Sequence, residues 1–373
     1  MRITIVQGAF LPVPALRGGA VEKRWYRLAK AFADRGHAVT QISRWCDGLA
    51  TEEMDQGVYH RRVRGFDTPR SLIHLKMLDL LYSLRVQRVM AQSDVVITNT
   101  FWLPMLLRRP SEQGQVVVDF ARMPKGQVRF YKHVACIRVN SEAVRQAVVS
   151  ECASIEPKVR LISNPLPFDP PGEVDMNAKR KVLLYAGRIH PEKGLMLLLQ
   201  AWRGLSGLFP DWHLEIAGAH SIKEGGGGEA YLRELQSISP QGRVIWHGPV
   251  HDDSKLKKLY EQASLFVYPS VAEQGETFGL AVLEAMAYGA VPVVSQLDCF
   301  NAFMQNDRYG AVFNHRGEGA AHRLSMALEK LMKDGGARHR LAYAAVERAK
   351  AFAPDKIADQ FLALFNELCQ SKG

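Results

Sequence analysis

The sequence predicts an α/β protein built from two doubly wound domains, each a parallel sheet wrapped by helices. Three observations carry that expectation. The chain has 373 residues, more than one hydrophobic core ordinarily supports. Apolar runs of strand length alternate with segments of helical periodicity, the pattern of parallel strands joined by crossover helices. The alternation restarts after Asn164-Pro-Leu-Pro-Phe-Asp-Pro-Pro171, a proline-dense stretch that cannot continue a helix and reads as an extended connector. The expected division is residues 1–165, residues 166–350, and a helix over 351–373 packing back towards the first domain.

In the first domain Arg2–Gln7 reads as a short strand, Ala20–Arg35 as a helix ended by Gly36, and Ala38–Ile42 as the next strand. Val95–Thr98, Gln115–Val118 and Ala135–Val139 are further apolar runs of buried-strand type. Between them, Ser71–Gln92 places Leu72, Leu75, Leu78 and Leu81 at helical spacing, with Arg61, Arg62, Arg64, Arg70 and Lys76 before it or near its start. The expectation is that this stripe packs on the domain's own sheet; the alternative is an amphipathic helix lying on an anionic membrane. In the second domain the strands are Lys181–Ala186, Trp212–Ala217, Val244–His247, Ser264–Tyr268 and Val291–Ser295, and the helices Gly194–Leu208, Tyr231–Ile238, Leu256–Gln262 and Leu280–Tyr288. Ligands of such sheets sit beyond the carboxyl ends of the strands.

Charge is distributed unevenly. Residues 1–165 hold 25 Lys and Arg against 14 Asp and Glu, whereas residues 166–373 hold 23 against 24. The first domain alone therefore carries the positive excess and suits an anionic partner, such as a phospholipid surface or a lipid-linked or phosphorylated acceptor. A nucleic-acid-binding role is set aside, because the cations are not interleaved with exposed aromatics and no nucleic-acid motif is present. The N-terminus runs directly into a strand and lacks a signal-peptide pattern, and no apolar window reaches transmembrane length. Five scattered cysteines without CxxC spacing read as reduced thiols. A cytoplasmic protein, with peripheral contact at the inner membrane face as an option, is the expectation.

Chemistry concentrates in Glu273-Gln-Gly-Glu-Thr-Phe-Gly-Leu-Ala-Val-Leu-Glu284-Ala-Met-Ala-Tyr-Gly289, a glycine-containing loop that opens a helix. Glu276 stays in the loop, while Glu284 lies about two turns further on, inside an apolar stretch. The backbone N–H groups of Phe278, Gly279 and Leu280 at the helix start form a seat for phosphate. A second segment, Tyr185-Ala-Gly-Arg-Ile-His-Pro-Glu-Lys-Gly194, ends a strand at Gly187 and presents Arg188 and Lys193, two cations able to neutralise a diphosphate. Cations that meet a leaving group as its charge grows stabilise the transition state more than the ground state. No Asp-x-Asp stands at a strand end to hold a divalent metal, so no metal and no cofactor are expected. In the first domain Arg17-Gly-Gly-Ala-Val-Glu22 lets a ligand approach the backbone at Gly18 and Gly19.

These motifs resemble the retaining glycosyltransferases of family 4, whose C-terminal domain carries a Glu-x7-Glu motif followed by a Gly-x-Pro-Val strand; here Gly289-Ala-Val-Pro-Val-Val294 stands in that place. The resemblance implies the GT-B fold, two Rossmann-like domains facing across a cleft, and transfer of a sugar from a nucleoside diphosphate of UDP or GDP type. It assigns Glu284 to the ribose hydroxyls, Glu276 to hydroxyls of the transferred sugar, and Thr277, Phe278, Gly279 and Leu280 to the sugar and phosphates. Gly187, Gly218 and Val250 would border the base and sugar, and the Gly18-Gly19 loop matches the family's own. Asp119 falls near the position of a family histidine at the reacting centre and is a candidate for orienting the acceptor hydroxyl. The acceptor implied is an anionic, lipid-linked or glycan intermediate of envelope polysaccharide, lipopolysaccharide or glycolipid assembly. The competing reading is a non-hydrolysing nucleotide-sugar epimerase, which shares the architecture but needs no acceptor.

Overall fold

The computed structural model describes residues 1–16, 19–69, 71–107, 114–305 and 307–370. The chain divides into two compact units, Met1–Asp169 together with the segment from Phe352 onward, and Pro170–Ala351.

The first unit is an eight-stranded sheet in the order β3-β4-β2-β1-β5-β6-β7-β8. Its strands are β1 (Arg2–Val6), β2 (Ala38–Trp45), β3 (Glu52–Asp55), β4 (Val58–Arg64), β5 (Val95–Thr98), β6 (Gln115–Phe120), β7 (Cys136–Val139) and β8 (Val159–Leu161). All pairings are parallel except β3 with β4. That hairpin was not expected. Its turn is Gln56-Gly57, both at positive φ, the backbone of the tight turns that match strand twist, but β3 is Glu-Glu-Met-Asp and gives no apolar alternation.

Helix α1 (Ala20–Ala33) buries Trp25, Leu28, Ala29 and Phe32, spaced at three and four residues as a sheet-facing stripe requires. Its other apolar partner is the C-terminal helix (Pro354–Gln370), whose Phe361 ring lies 5.2 Å from Trp25 and whose Phe365 lies 5.8 Å from Phe32.

Helix α2 (Leu72–Val89) corrects an expectation. Leu72 and Leu81 are exposed and Leu75 and Leu78 only half-buried, and the residues turned fully inward are Asp79, Tyr82, Ser83 and Val86. The cause is an anchor outside the helix: the Asp79 carboxylate accepts the backbone N–H groups of Phe101 and Trp102, each at 3.0 Å. Two otherwise unmet donors thus fix the helix rotation, with Tyr82 and Val86 reaching the core beside Asp79 and Ser83. Short α3 (Leu103–Leu106) follows this loop, and α4 (Glu142–Glu151) lies beyond β7 with Ser141 as its N-cap.

The second unit is a six-stranded, all-parallel sheet in the order β11-β10-β9-β12-β13-β14. The strands are β9 (Arg180–Ala186), β10 (His213–Ala217), β11 (Val244–Gly248), β12 (Ala263–Tyr268), β13 (Val291–Ser295) and β14 (Ala311–Phe313). Helices α5 (Leu195–Leu205), α6 (Gly228–Ile238), α7 (Asp253–Gln262) and α8 (Leu280–Ala287) form the crossovers. Two start earlier than their periodicity predicts, because their first turns are polar. Asp252 caps α7 by accepting from the N–H groups of Ser254 and Lys255. Beyond β13 come α9 (Asn301–Met304), α10 (Ala320–Lys333) and α11 (Gly335–Lys350). Among the described residues no helix is long and apolar enough to cross a membrane.

Candidate nucleotide site of the second unit

The parallel sheet delivers β9, β10 and β11 side by side, and each ends in a glycine: Gly187, Gly218 and Gly248. The Gly218 N–H donates to the Gly248 carbonyl at 2.8 Å and the Gly187 N–H to the Ala217 carbonyl at 2.9 Å. A Cβ at Gly218 would fall 1.8 Å from the Gly187 carbonyl oxygen, so only glycine lets these strand ends approach so closely. A cavity of about 340 Å³ opens beyond them, lined by Gly187, Gly218, Glu224, Val250, His251, Tyr260, Ala281 and Glu284 among others. Of the residues assigned from the sequence, Gly187, Gly218, Val250 and Glu284 line it.

Glu284 reaches the cavity from α8, whose opposite face buries Val282, Leu283, Ala285 and Met286. The Tyr260 hydroxyl donates to its Oε2 at 3.0 Å. Burial, followed by the Glu284 charge, pushes the Tyr260 phenol far up, so it remains a donor and fixes the carboxylate. Helix α8 starts behind Gly279, at φ 78°, with no side-chain cap. A Cβ at Gly279 would meet the Phe300 ring at 2.3 Å. Thr277 and Leu280 are half-buried beside this turn, whereas the Phe278 side chain is buried against Phe303 at 5.5 Å between ring centroids. Phe278 therefore offers the site its backbone, and its ring belongs to the core.

A row of alternating charges runs beside the cavity. Arg188 Nη2 donates to Glu192 Oε1 at 3.0 Å, Lys193 Nζ lies 3.7 Å from that oxygen, and Lys193 Nζ also meets Glu276 Oε2 at 2.7 Å. Arg188 further donates to the Gly225 carbonyl at 2.7 Å, next to Glu224 of the cavity wall. Its side chain is half exposed, while Lys193 is 6% and Glu276 11% exposed. Tyr268, at the end of β12, donates to Glu276 at 3.1 Å and stacks on Tyr185 at 5.8 Å. Burial, then the Glu276 charge, raises the Tyr268 phenol well above its ordinary value. Each glutamate of the pair is thus held by a buried tyrosine. Sequence reasoning missed Tyr260, Tyr268 and Glu192; Tyr268, closing β12, was the one with an available signal. His220 and His247 pair with Glu229 at 3.1 Å and Glu215 at 2.7 Å.

Two assignments in the first unit fare differently. Gly18 lies outside the described residues. Gly19 precedes α1, with Glu22 buried in the first turn. Asp119 is a correction. Its side chain is fully enclosed; Oδ2 accepts from Arg24 and, at 2.9 Å, from Trp25 Nε1, and Oδ1 accepts from Arg138 at 2.7 Å. Both oxygens being consumed, no free carboxylate faces an acceptor. Asn164 Oδ1 accepts from Arg24 Nη1 and Arg138 Nη2 at 2.6 and 3.0 Å, and Arg138 lies 5.4 Å over the Phe361 ring. Asp119 therefore joins β6, α1 and β7, and Arg138 carries the network on to the C-terminal helix.

Two parallel-stranded sheets, with a cavity at the carboxyl ends of the second one, give the chain the GT-B fold. Residues 171–348, just under half of the chain, match the family of glycosyl transferases group 1. The chain is 30% identical over 196 residues to phosphatidyl-myo-inositol mannosyltransferase of Mycobacterium leprae (strain TN), covering 51% of this chain and 48% of that one. It is 27% identical over 258 residues to GDP-mannose:cellobiosyl-diphosphopolyprenol alpha-mannosyltransferase of Komagataeibacter xylinus, covering 68% and 60%. These matches span only about half of such relatives. Sucrose-phosphate synthase of Thermosynechococcus elongatus shares the fold, with a TM-score of 0.79 at 20% identity over 100% of both chains.

Proposed function

We propose that this protein is a metal-independent retaining glycosyltransferase that moves a hexose from a nucleoside-diphosphate sugar to an acceptor hydroxyl. The row Arg188–Glu192–Lys193–Glu276, set beside a cavity that contains Glu284, carries this reading. In it, Glu284 accepts from ribose hydroxyls and Glu276 from hydroxyls of the sugar. The diphosphate lies at the start of α8 against Arg188 and Lys193, which take the role a divalent cation fills elsewhere.

As the bond from the anomeric carbon to the β-phosphate oxygen breaks, its electron pair goes to that oxygen and the two cations gain interaction with the growing charge. The acceptor oxygen attacks the same face of the oxocarbenium-like carbon and its proton passes to the departing phosphate, so configuration is retained. UDP and GDP sugars are the donor classes carried over from the sequence reading. The Komagataeibacter relative uses GDP-mannose and a diphosphopolyprenol-linked acceptor by its name, and the positive excess of residues 1–165 suits an anionic, lipid-linked acceptor of envelope polysaccharide or glycolipid assembly.

The test is a transfer assay with UDP- and GDP-hexoses, run with and without phosphorylated or polyprenol-linked glycan acceptors, with the anomeric product assigned by NMR. An α-configured product from an α-donor is expected only when an acceptor is present. Conversion of the sugar nucleotide without acceptor would replace this reading by the epimerase. EDTA is expected to leave turnover unchanged; loss of activity that Mg²⁺ or Mn²⁺ restores would remove the role given to Arg188 and Lys193.

A further inference from the structure

Helix α2 turns the wrong side outward for a water-soluble domain. Ile73, Met77, Leu81 and Leu84 recur at intervals of four, four and three residues, one helical face, and all four are exposed, Ile73 at 74% and Met77 at 58%. With Leu72, five of the large apolar side chains left exposed among the described residues stand on this one helix. The others are scattered, as single surface hydrophobics normally are.

Charge says what this face meets. The only acidic residue of α2 is Asp79, which is buried with its carboxylate on the N–H groups of Phe101 and Trp102. The outward charges are therefore cationic, Lys76 and Arg88. Lys76 Nζ stands 4.6 Å over the Phe101 ring, and Tyr131 ties its own turn to that loop by donating to the Phe101 carbonyl at 2.8 Å. This neighbouring turn repeats the pattern: Phe130 is exposed with the Arg129 guanidinium 4.9 Å over its ring, and Lys132 is exposed beside it.

We propose that the outer face of α2, with the Phe130 turn, docks this unit onto an anionic lipid bilayer. The aliphatic stripe enters the boundary between headgroups and acyl chains, while the cations at its margins meet lipid phosphates. A protein partner would be expected to answer a rim of cations with acidic groups on a shaped apolar patch; a bilayer needs only the stripe and the charge. The docking stands apart from the transfer reaction, since it requires neither donor nor acceptor.

Flotation of the full chain with vesicles tests it directly. Binding is expected to vesicles of phosphatidylcholine mixed with phosphatidylglycerol, to weaken as salt is raised, and to be absent with phosphatidylcholine alone. The double substitution Ile73→Glu/Met77→Glu should abolish flotation at an unchanged Tm, because both side chains are exposed, and Lys76→Glu/Arg88→Glu should abolish the preference for anionic lipid. Failure of the wild type to float with anionic vesicles, or equal flotation of the Ile73→Glu/Met77→Glu variant, overturns the proposal. A wild-type dimer in sedimentation that this variant dissociates also overturns it, since a second copy would then cover the face. A negative transfer assay leaves these outcomes unaffected.

Discussion

Replacing Asp119 by Asn is expected to destabilise the first unit by about 3–5 kcal/mol, the usual consequence of removing one partner from a buried charge network. The substitution keeps volume but leaves Arg24 and Arg138, both buried, facing a neutral amide. Urea denaturation should show the loss as a fall in midpoint with unchanged slope; a change below about 1 kcal/mol would mean that the network contributes little.

The pH dependence has a definite sign. Burial pushes the Asp119 carboxyl up, but the Arg24 and Arg138 guanidiniums outweigh it and hold the group below its ordinary value of 3.8, while burial brings Arg138 down to about 10. A carboxyl with a depressed folded value contributes stability that is fully present above the unfolded value and is lost as pH falls through the folded one. The gap between wild type and Asp119→Asn should therefore be widest near neutrality and close on acidification below about pH 4.

The second large effect is on catalysis. Glu276→Gln is expected to lower kcat by about 10²–10³, the magnitude seen when one preorganised contact to a transition state is lost. Gln keeps an acceptor for Tyr268 but ends the ion pair with Lys193, which sits at 2.7 Å. Arg188→Ala should reduce kcat comparably while leaving the fold intact, because its side chain is 47% exposed. Wild-type rates in both variants, with circular dichroism unchanged, would remove these residues from the reacting centre.

Much of the second unit was legible in the sequence, because its central strands are apolar runs and three of its strands run into a glycine. Val291–Ser295 is the clearest, with every residue buried. The site's charges were legible for a related reason: Arg188, Lys193, Glu276 and Glu284 lie in short loops or helix starts next to those strand ends, so local order places them. Residues defined by distant partners were not. Asp119 looked available because Arg24 and Trp25 are 95 and 94 residues away along the chain. The orientation of α2 was misread because its leucine spacing is genuinely helical; the anchor that turns it, Asp79 to the Phe101–Trp102 backbone, lies 22 residues on. Tyr260 and Tyr268 read as ordinary strand and helix aromatics until the fold brings each to a glutamate.

The central claim is that the second unit holds a nucleoside diphosphate with Glu284 as the ribose anchor. Isothermal titration of UDP, GDP and ADP into the wild-type protein and Glu284→Ala tests it most directly. One diphosphate is expected to bind the wild type and to lose at least about tenfold in affinity in the variant, as follows from losing about 1.5–3 kcal/mol of charged hydrogen bonding. Equal binding to both proteins, or binding of none of the three, would contradict the account.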